Sequence, residues 1–267
     1  MSLIDPRAVV DPAATIAEDV EIGPFCVVEG DVVLDRGVRL LSHVVVRAGT
    51  RIGEGTEVHP GSVLGGEPQS TGYRGQRSQL IIGRNNIIRE HCTLHRGLGE
   101  DAVTQIGDHN MIMAYVHIAH DCQVGSHIVL TSHAGMAGHV TVEDHAFFGA
   151  MSGVHQFCRV GKLAMLGGYT KVVQDVPPFM IVDGRDKRTA RVVGLNVTGL
   201  RRAGVPSESR NALKAAYKLL FRSALNTTQA IERVELDVPP SAEVEYLVGF
   251  LKQQRDGRLG RGLDHAR

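Results

Sequence analysis

A six-residue period runs from Ile4 to Val172 of this 267-residue chain. Every sixth residue from Ile4 to Leu64 is apolar: Ile4, Val10, Ile16, Ile22, Val28, Leu34, Leu40, Val46, Ile52, Val58, Leu64. The frame resumes at Ile82, Ile88 and Leu94, then holds from Ile106 to Val172. Of 29 slots, 26 are apolar, the misses being Ser70, Gln76 and Glu100. At this hydrophobic content, chance yields such a frame about once in a million trials, so an ordinary strand-rich domain is excluded. Four residues after each large residue comes a second inward slot, mostly small or β-branched: Ala14, Val20, Cys26, Val32, Val38, and later Val116, Cys122, Ile128, Ala134, Val140. Each hexad therefore reads as one short strand and one turn, and three hexads close one coil. Stacked at ~4.8 Å, such coils form a parallel β-helix of about nine turns.

The 31 glycines fit that reading, because a turn in every hexad needs permissive backbone. Cys26, Cys92, Cys122 and Cys158 all fall on the small inward slot. Cys122 and Cys158 share a face but lie two coils apart, ~9–10 Å by coil spacing, too far for a disulfide. They read as core fillers of a reducing compartment.

The frame is interrupted at 65–81 and 96–105, both glycine-rich and polar, and solenoids extrude such insertions. Pro177-Pro178 ends the repeat, giving a β-helix over 1–182 and a linker with a helical region over 183–267. There the period becomes helical. Leu213, Tyr217, Leu220 and Phe221 form a stripe behind Pro206-Ser207, read as an N-cap. Ala230, Ile231 and Val234 predict a second helix after Thr227, and Val244, Leu247, Val248 and Leu251 a third after Pro240-Ser241. The tail from Arg255 has little apolar content and is expected to be loose.

Lys+Arg and Asp+Glu are both 29, which argues against nucleic acid as a partner. No apolar run reaches the ~20 residues of a membrane span, and the first residues lack a secretory signal's basic and apolar regions. A cytoplasmic protein is expected. Residues 183–222 nevertheless hold ten Lys/Arg against three Asp/Glu. That run is either a solvated helical surface or a landing patch for an acidic partner.

Thirteen histidines are many, and their spacing is informative. The slots Ile118, Met136 and Val154 stack on one side of the prism. His120, His139 and His155 follow them by two, three and one residues, so all three should line one outer face on successive coils. His117 precedes His120, Asp121 follows it, and Gln156 follows His155. Three chemistries fit: plain surface histidine, as for His59, His109, His127 and His145; a zinc site; or a general base flanked by substrate-binding imidazoles.

The stretches His117-Ile118-Ala119-His120-Asp121-Cys122, Ala137-Gly138-His139-Val140 and Val154-His155-Gln156-Phe157 resemble the signature segments of bacterial UDP-N-acetylglucosamine O-acyltransferases, which open lipid A synthesis. So do Gly167-Gly168, Gln174-Asp175-Val176-Pro177-Pro178 and Gly194-Leu195-Asn196. The resemblance implies a left-handed β-helix, a homotrimer with sites between subunits, and no cofactor. It implies transfer of a β-hydroxyacyl chain from acyl carrier protein to the 3-position of the UDP-sugar. By the same resemblance His120 is the general base, Asp121 its orienting partner, and Gly138 the backbone N–H donor to the oxyanion. Gln69, Tyr73, His117, His139, His155 and Gln156 match substrate-contacting positions. Asn196 and Arg202 match positions near the nucleotide and carrier arm, and Gly168 matches the acyl-length ruler. Before Tyr73 the family usually carries Gln-Asp-Leu-Lys; here it is Gln69-Ser70-Thr71-Gly72, which opens the door to a 3-amino sugar as acceptor.

A thioester is already activated, so direct transfer needs only a base and an oxyanion donor. The inward cysteines and the lack of a Gly-x-Ser-x-Gly elbow agree with that. Two other readings stand beside it: a zinc-dependent hydratase with His117, His120 and His139 as ligands, and a non-catalytic binding solenoid, for which no outward Thr ladder is seen.

Overall fold

The computed structural model describes residues 3–184, 190–257 and 260. Most strands are only two residues long, because a turn follows each hexad's large residue. Strand partners lie three hexads apart, as in Glu21↔Arg39 and Val129↔Phe147, and all such pairs are parallel. They build three sheets of eleven, nine and eight strands among the described residues. The sheets start at Leu3–Ile4, Val9–Val10 and Thr15–Ile16 and are called first, second and third below. The architecture is the expected left-handed parallel β-helix with a C-terminal α-helical region.

The large hexad residues fill the prism: Ile52, Val58, Leu64, Ile88, Leu94 and Ile112 are all at most 1 % exposed. Removing one such side chain to Ala should cost ~2–5 kcal/mol. The first coil is the exception, with Ile4 42 % exposed, since no coil of the described residues lies beneath it. The four cysteines are buried and outside any disulfide, on the inward positions expected of them. Burial raises the thiols, to about 11 for Cys92 and about 12 for Cys122. Asn86 and Asn110 also point inward. Their amides donate to the carbonyls of Gly107 and Gly125, at 2.9 and 3.0 Å, and Asn86 Oδ1 accepts the Asn110 N–H at 2.9 Å. Buried amides in a prism are stable only when satisfied in this way.

The two interruptions are shorter than the broken frame. Strand Val63–Gly66 runs into the first, strand Gln79–Ile82 leaves it, and strand Val103–Ile106 follows the second. Val63 pairs with Thr93, five hexads on, and Thr93 pairs with His117, four hexads on. Against the usual interval of three, the first insertion adds two hexads and the second adds one. Because both are whole hexads, the frame resumes in phase.

Past residue 182 the first sheet continues. Strand Met180–Asp183 adds in parallel and Arg191–Leu195 returns antiparallel to it, so part of the expected linker is sheet. The helices are α1 (Val197–Arg202), α2 (Ser207–Arg222), α3 (Thr227–Asp237) and α4 (Ala242–Arg255). α1 is too short for its period to be read. Ser207 does not cap α2: the N-cap is Pro206, and the Ser207 hydroxyl donates to Glu208 at 2.9 Å. α3 carries a capping box between Asn226 and Gln229, and Ser241 caps α4. Leu200, Leu213, Ile231 and Leu247 close a second core over Leu163 and Phe179. α4 also seals the third sheet, with Arg159 Cζ 3.9 Å from the Phe250 ring centroid. Among the described residues no helix is long and apolar enough to cross a membrane. The tail beyond Asp256 lies largely outside the described residues.

Candidate active site

Eighteen of the described non-glycine residues adopt left-handed backbone, nearly all at the hexad turns. Seven are histidines, including His109, His127 and His145, which stack ring on ring at 5.0 and 4.8 Å. Such turns favour Asn, Asp and His, so much of the histidine content serves the fold.

The corner between the second and third sheets is different. Positions repeat there every three hexads, so Gly138 stands over His120 and His139 over Asp121. The His139 N–H donates to the His120 carbonyl at 3.0 Å. Asp121 sits in a left-handed turn, φ 60, so its carboxylate turns back onto its neighbour. His120 Nδ1 lies 2.7 Å from Asp121 Oδ2, and both side chains are 14 % exposed. Asp121 accepts at Nδ1, so a neutral His120 carries its proton there and leaves Nε2 as the basic atom. Burial pushes the Asp121 carboxyl up, yet the His120 hydrogen bond, helped by the charges of His139 and His120 and the Leu98 N–H, holds it below the usual carboxylate range. His139 Nε2 is 3.6 Å from the same carboxylate, with its ring edge-on to His120 at 5.2 Å and stacked on Phe157 at 4.6 Å. Gly138 lies against the His120 ring: a Cβ there would come within 2.5 Å of Cε1 and 2.8 Å of Nε2. Its N–H donates to none of the described residues.

His117 lies beside this cluster, on the second sheet. Its Nδ1 meets Thr93 Oγ1 at 2.9 Å, and its ring is 5.1 Å from that of His95. Burial, then the neighbouring His95, lowers its pKa. His95 Nδ1 meets the Glu67 carbonyl at 2.6 Å, and burial lowers its pKa too. The Arg96 guanidinium donates to Tyr73 Oη at 2.7 Å and to the Gly65 carbonyl at 3.0 Å. Tyr73 is thereby tied to the residue after His95, while Gln69 is exposed. His95 and Arg96 were not singled out from sequence, although they directly follow the Leu94 slot, as Ala119 and His120 follow Ile118. Ser70 Oγ is engaged in its own turn, accepting the Gly72 N–H at 3.2 Å.

Not every expected residue joins the cluster. His155 is exposed, stands one turn position earlier than His120, and contacts the Gln156 carbonyl at 3.3 Å. Gly168 sits at the corner between the first and second sheets, across the second sheet from His120, over the Ala150 carbonyl. Asn196 is 8 % exposed and occupied structurally: Oδ1 caps α1 at Gly199 and Nδ2 donates to the Leu163 carbonyl, both at 2.9 Å. Arg202 is exposed at the end of α1, next to a groove of about 360 Å³ lined by Arg201, Arg210, Lys214 and Lys218.

The zinc set does not assemble as expected. Among the described residues, the three groups whose ligand atoms lie within 4.8 Å of one another are His120, Asp121 and His139, without His117. His117 turns its Nδ1 to Thr93 instead, and the 2.7 Å His120–Asp121 contact is a hydrogen bond.

Residues 104–138 match the family described as bacterial transferase hexapeptide (six repeats), and 175–262 match UDP-N-acetylglucosamine O-acyltransferase, domain 2. An acyl-[acyl-carrier-protein]–UDP-N-acetylglucosamine O-acyltransferase of Thermodesulfovibrio yellowstonii is 43 % identical over 258 residues, covering 96 % of this chain and 99 % of its own. The solved structure of LpxA from Acinetobacter baumannii is 42 % identical with a TM-score of 0.89, over 94 % of this chain and 97 % of that one. The Francisella novicida UDP-N-acetylglucosamine acyltransferase is 38 % identical with a TM-score of 0.89, over 95 % and 92 %. Matched along almost its whole length by relatives of this identity, this chain belongs to the UDP-N-acetylglucosamine O-acyltransferase family.

Proposed function

We propose that this enzyme moves a β-hydroxyacyl chain from acyl carrier protein to the 3-position of UDP-N-acetylglucosamine by direct attack on the thioester. His120 Nε2 takes the proton of the attacking 3-hydroxyl as its oxygen bonds to the thioester carbon. The tetrahedral oxyanion forms against the Gly138 N–H. As it collapses, the C–S bond breaks and the His120 proton passes to the leaving thiolate. Asp121 fixes the tautomer and stabilises the imidazolium in between. The observation that carries this is the 2.7 Å His120–Asp121 hydrogen bond with the side-chain-free Gly138 pressed on the imidazole.

The second sheet supports a path for the acyl chain. Its outward Gly135 and Gly153 leave a trough of about 530 Å³ bounded by His117, His155, Met151 and Lys171. The trough leads from the His120 corner towards the corner of Gly168, the proposed ruler. Along that far corner stand Phe25, Tyr115, Met151 and Tyr169, at 48–65 % exposure. A row of exposed apolar side chains marks an interface, and a homotrimer packed on this edge would roof the trough. His139, His155, Gln156, Gln69, Tyr73 and Arg202 are proposed substrate contacts. For Asn196 an indirect role beside the nucleotide is proposed, through its hold on α1, since its side chain, its N–H and its C=O are all engaged within the fold. The basic groove on α1 and α2 supports docking of the acidic carrier protein, and a cytoplasmic location follows from that partner.

Ser70 favours a second acceptor. With no acidic group at that position, a 3-amino sugar nucleotide meets less discrimination against it. Products formed from a mixed acyl-carrier pool and both sugar nucleotides, weighed by mass spectrometry, decide this. A 3-O-acyl product supports the first reading and a 3-N-acyl product the second. No acyl transfer to either nucleotide would overturn both.

A further inference from the structure

Asp121 is gripped from a direction that the hexad frame does not supply. The backbone N–H of Leu98, in the second insertion, points at both carboxylate oxygens, 3.4 Å from Oδ1 and 3.3 Å from Oδ2. From beneath, the Asp121 N–H donates to Thr104 Oγ1 at 2.8 Å, and Thr104 is fully buried. The insertion is itself pinned to the neighbouring strand and to the first insertion. The Gly97 N–H donates to the Gln79 carbonyl at 3.2 Å and the Asp101 N–H to the Arg77 carbonyl at 2.7 Å. A Cβ on Gly97 would collide with the Ala102 carbonyl group, so the segment closes on itself only with glycine there. Leu98 therefore presents a fixed donor.

We propose that Leu98 and Thr104 are positioning residues of the pair: the Leu98 N–H sets how strongly the Asp121 carboxylate draws the His120 proton, and the Thr104 hydroxyl, accepting the Asp121 backbone N–H, holds that carboxylate's turn in place. This rests on the reading of His120 as the base. A carboxylate that accepts a second hydrogen bond is a weaker acceptor toward its first donor. The Leu98 N–H thus weakens the pull of Asp121 on the His120 proton. The other titratable groups facing the pair are His139, 3.6 Å from the carboxylate on the next coil, and His95 on the strand Thr93–His95, whose pKa the His120 charge helps to lower. Leu98 and Thr104 are uncharged, so their replacement alters the pair without adding or removing a charge.

The test replaces the Leu98 amide by an ester, using the α-hydroxy acid analogue of leucine at that position, with Leu98→Pro as a second variant. Without the N–H, Asp121 holds the His120 proton more tightly, so the acid limb of the kcat/KM profile moves to higher pH. Loss of one hydrogen bond to the charged form should move it by roughly half to one unit, so the deficit at pH 6 exceeds that at pH 8.5 about threefold to tenfold. An NMR titration of labelled His120 should move by the same amount. A merely structural role would scale the rate at all pH values and leave that titration in place. Thr104→Val should lower kcat, and Thr104→Ser should restore it. An unmoved His120 titration in the folded ester variant, with His120→Ala inactive, overturns this inference and leaves the base reading standing. An active His120→Ala overturns the base reading instead, and the titration still reports on the pair.

Discussion

Replacing Gly138 by Ala tests the site at its tightest point. An ideal Cβ would lie 2.5 Å from His120 Cε1, 2.8 Å from Nε2 and 3.0 Å from Nδ1. Carbon contacts relax near ~3.5 Å, so the ring must retreat by about 1 Å. It is held by the 2.7 Å bond to Asp121 and hemmed edge-on by His139 at 5.2 Å, so retreat carries Nε2 off its line of attack. A misplacement of about 1 Å in a catalytic group costs about 10²-fold, or ~2.7 kcal/mol of barrier. Gly138 is not in left-handed backbone, so Ala brings no strain of its own. The loss of unfolded-state freedom, ~0.4–1 kcal/mol, is set against the displacement of a hydrogen-bonded ring, so the melting temperature should not rise. Steady-state kcat/KM with acyl carrier thioester, beside thermal melts, gives both readouts. Gly249→Ala in α4, where a Cβ meets nothing within 4 Å, serves as the control. A Gly138→Ala enzyme within threefold of the parent would refute the steric reasoning and the placement of the reacting atoms.

Other outcomes follow from the same geometry. His120→Ala should lose roughly 10²–10⁴-fold in kcat while the enzyme stays folded, since the ring lies outside the prism core; turnover near the parent's would remove His120 as base. Lys214→Glu with Lys218→Glu should raise the KM for the carrier far more than for the sugar nucleotide, and added salt should mimic it; equal effects on both substrates would count against docking there. Arg188 and Lys187, expected in the same patch, lie outside the described residues. Burial lowers the pKa of His95, His117 and His145. The unfolded chain then binds more protons below its histidine pKa of ~6.5, so stability falls as pH drops through that value and is flat above it. Melts from pH 5 to 8 should show this, and His95→Gln with His117→Gln should flatten the slope. Gly168→Met fills the space of about three methylenes, each worth ~0.8 kcal/mol of burial, and should shift preference to shorter acyl chains, read as product mass; an unchanged preference places the ruler elsewhere.

The prism was legible because both insertions are whole hexads: a loop of any other length would have thrown Ile82 and Ile106 out of frame. The site was legible only in part, for a reason of the same kind. Spacing by three hexads brings together residues that share a turn position, so Asp121 met His139 and His120 met Gly138. His155 belongs to a different turn position and faces elsewhere, although it follows the same stacked slot. What no period carries stayed hidden. Leu98 reaches Asp121 from an insertion, Arg96 ties down Tyr73, and Asn196 caps α1, a helix too short to announce itself.

The uniform pairing interval has a kinetic consequence. Strand contacts are usually slow to form because their partners lie far along the chain, and loop closure must come first. Here most strands meet partners only three hexads away. Set against 267 residues, that separation is a relative contact order of about 0.07, the range of helical bundles rather than β-sandwiches. Once any coil has formed, the next adds by closing a short loop on a ready edge, so growth can proceed outward from wherever it begins. The exposed first coil at Ile4 and the helical cap beyond Pro178 then differ in kind. One end can fray and re-zip a hexad at a time, and the other locks only when α1–α4 have docked.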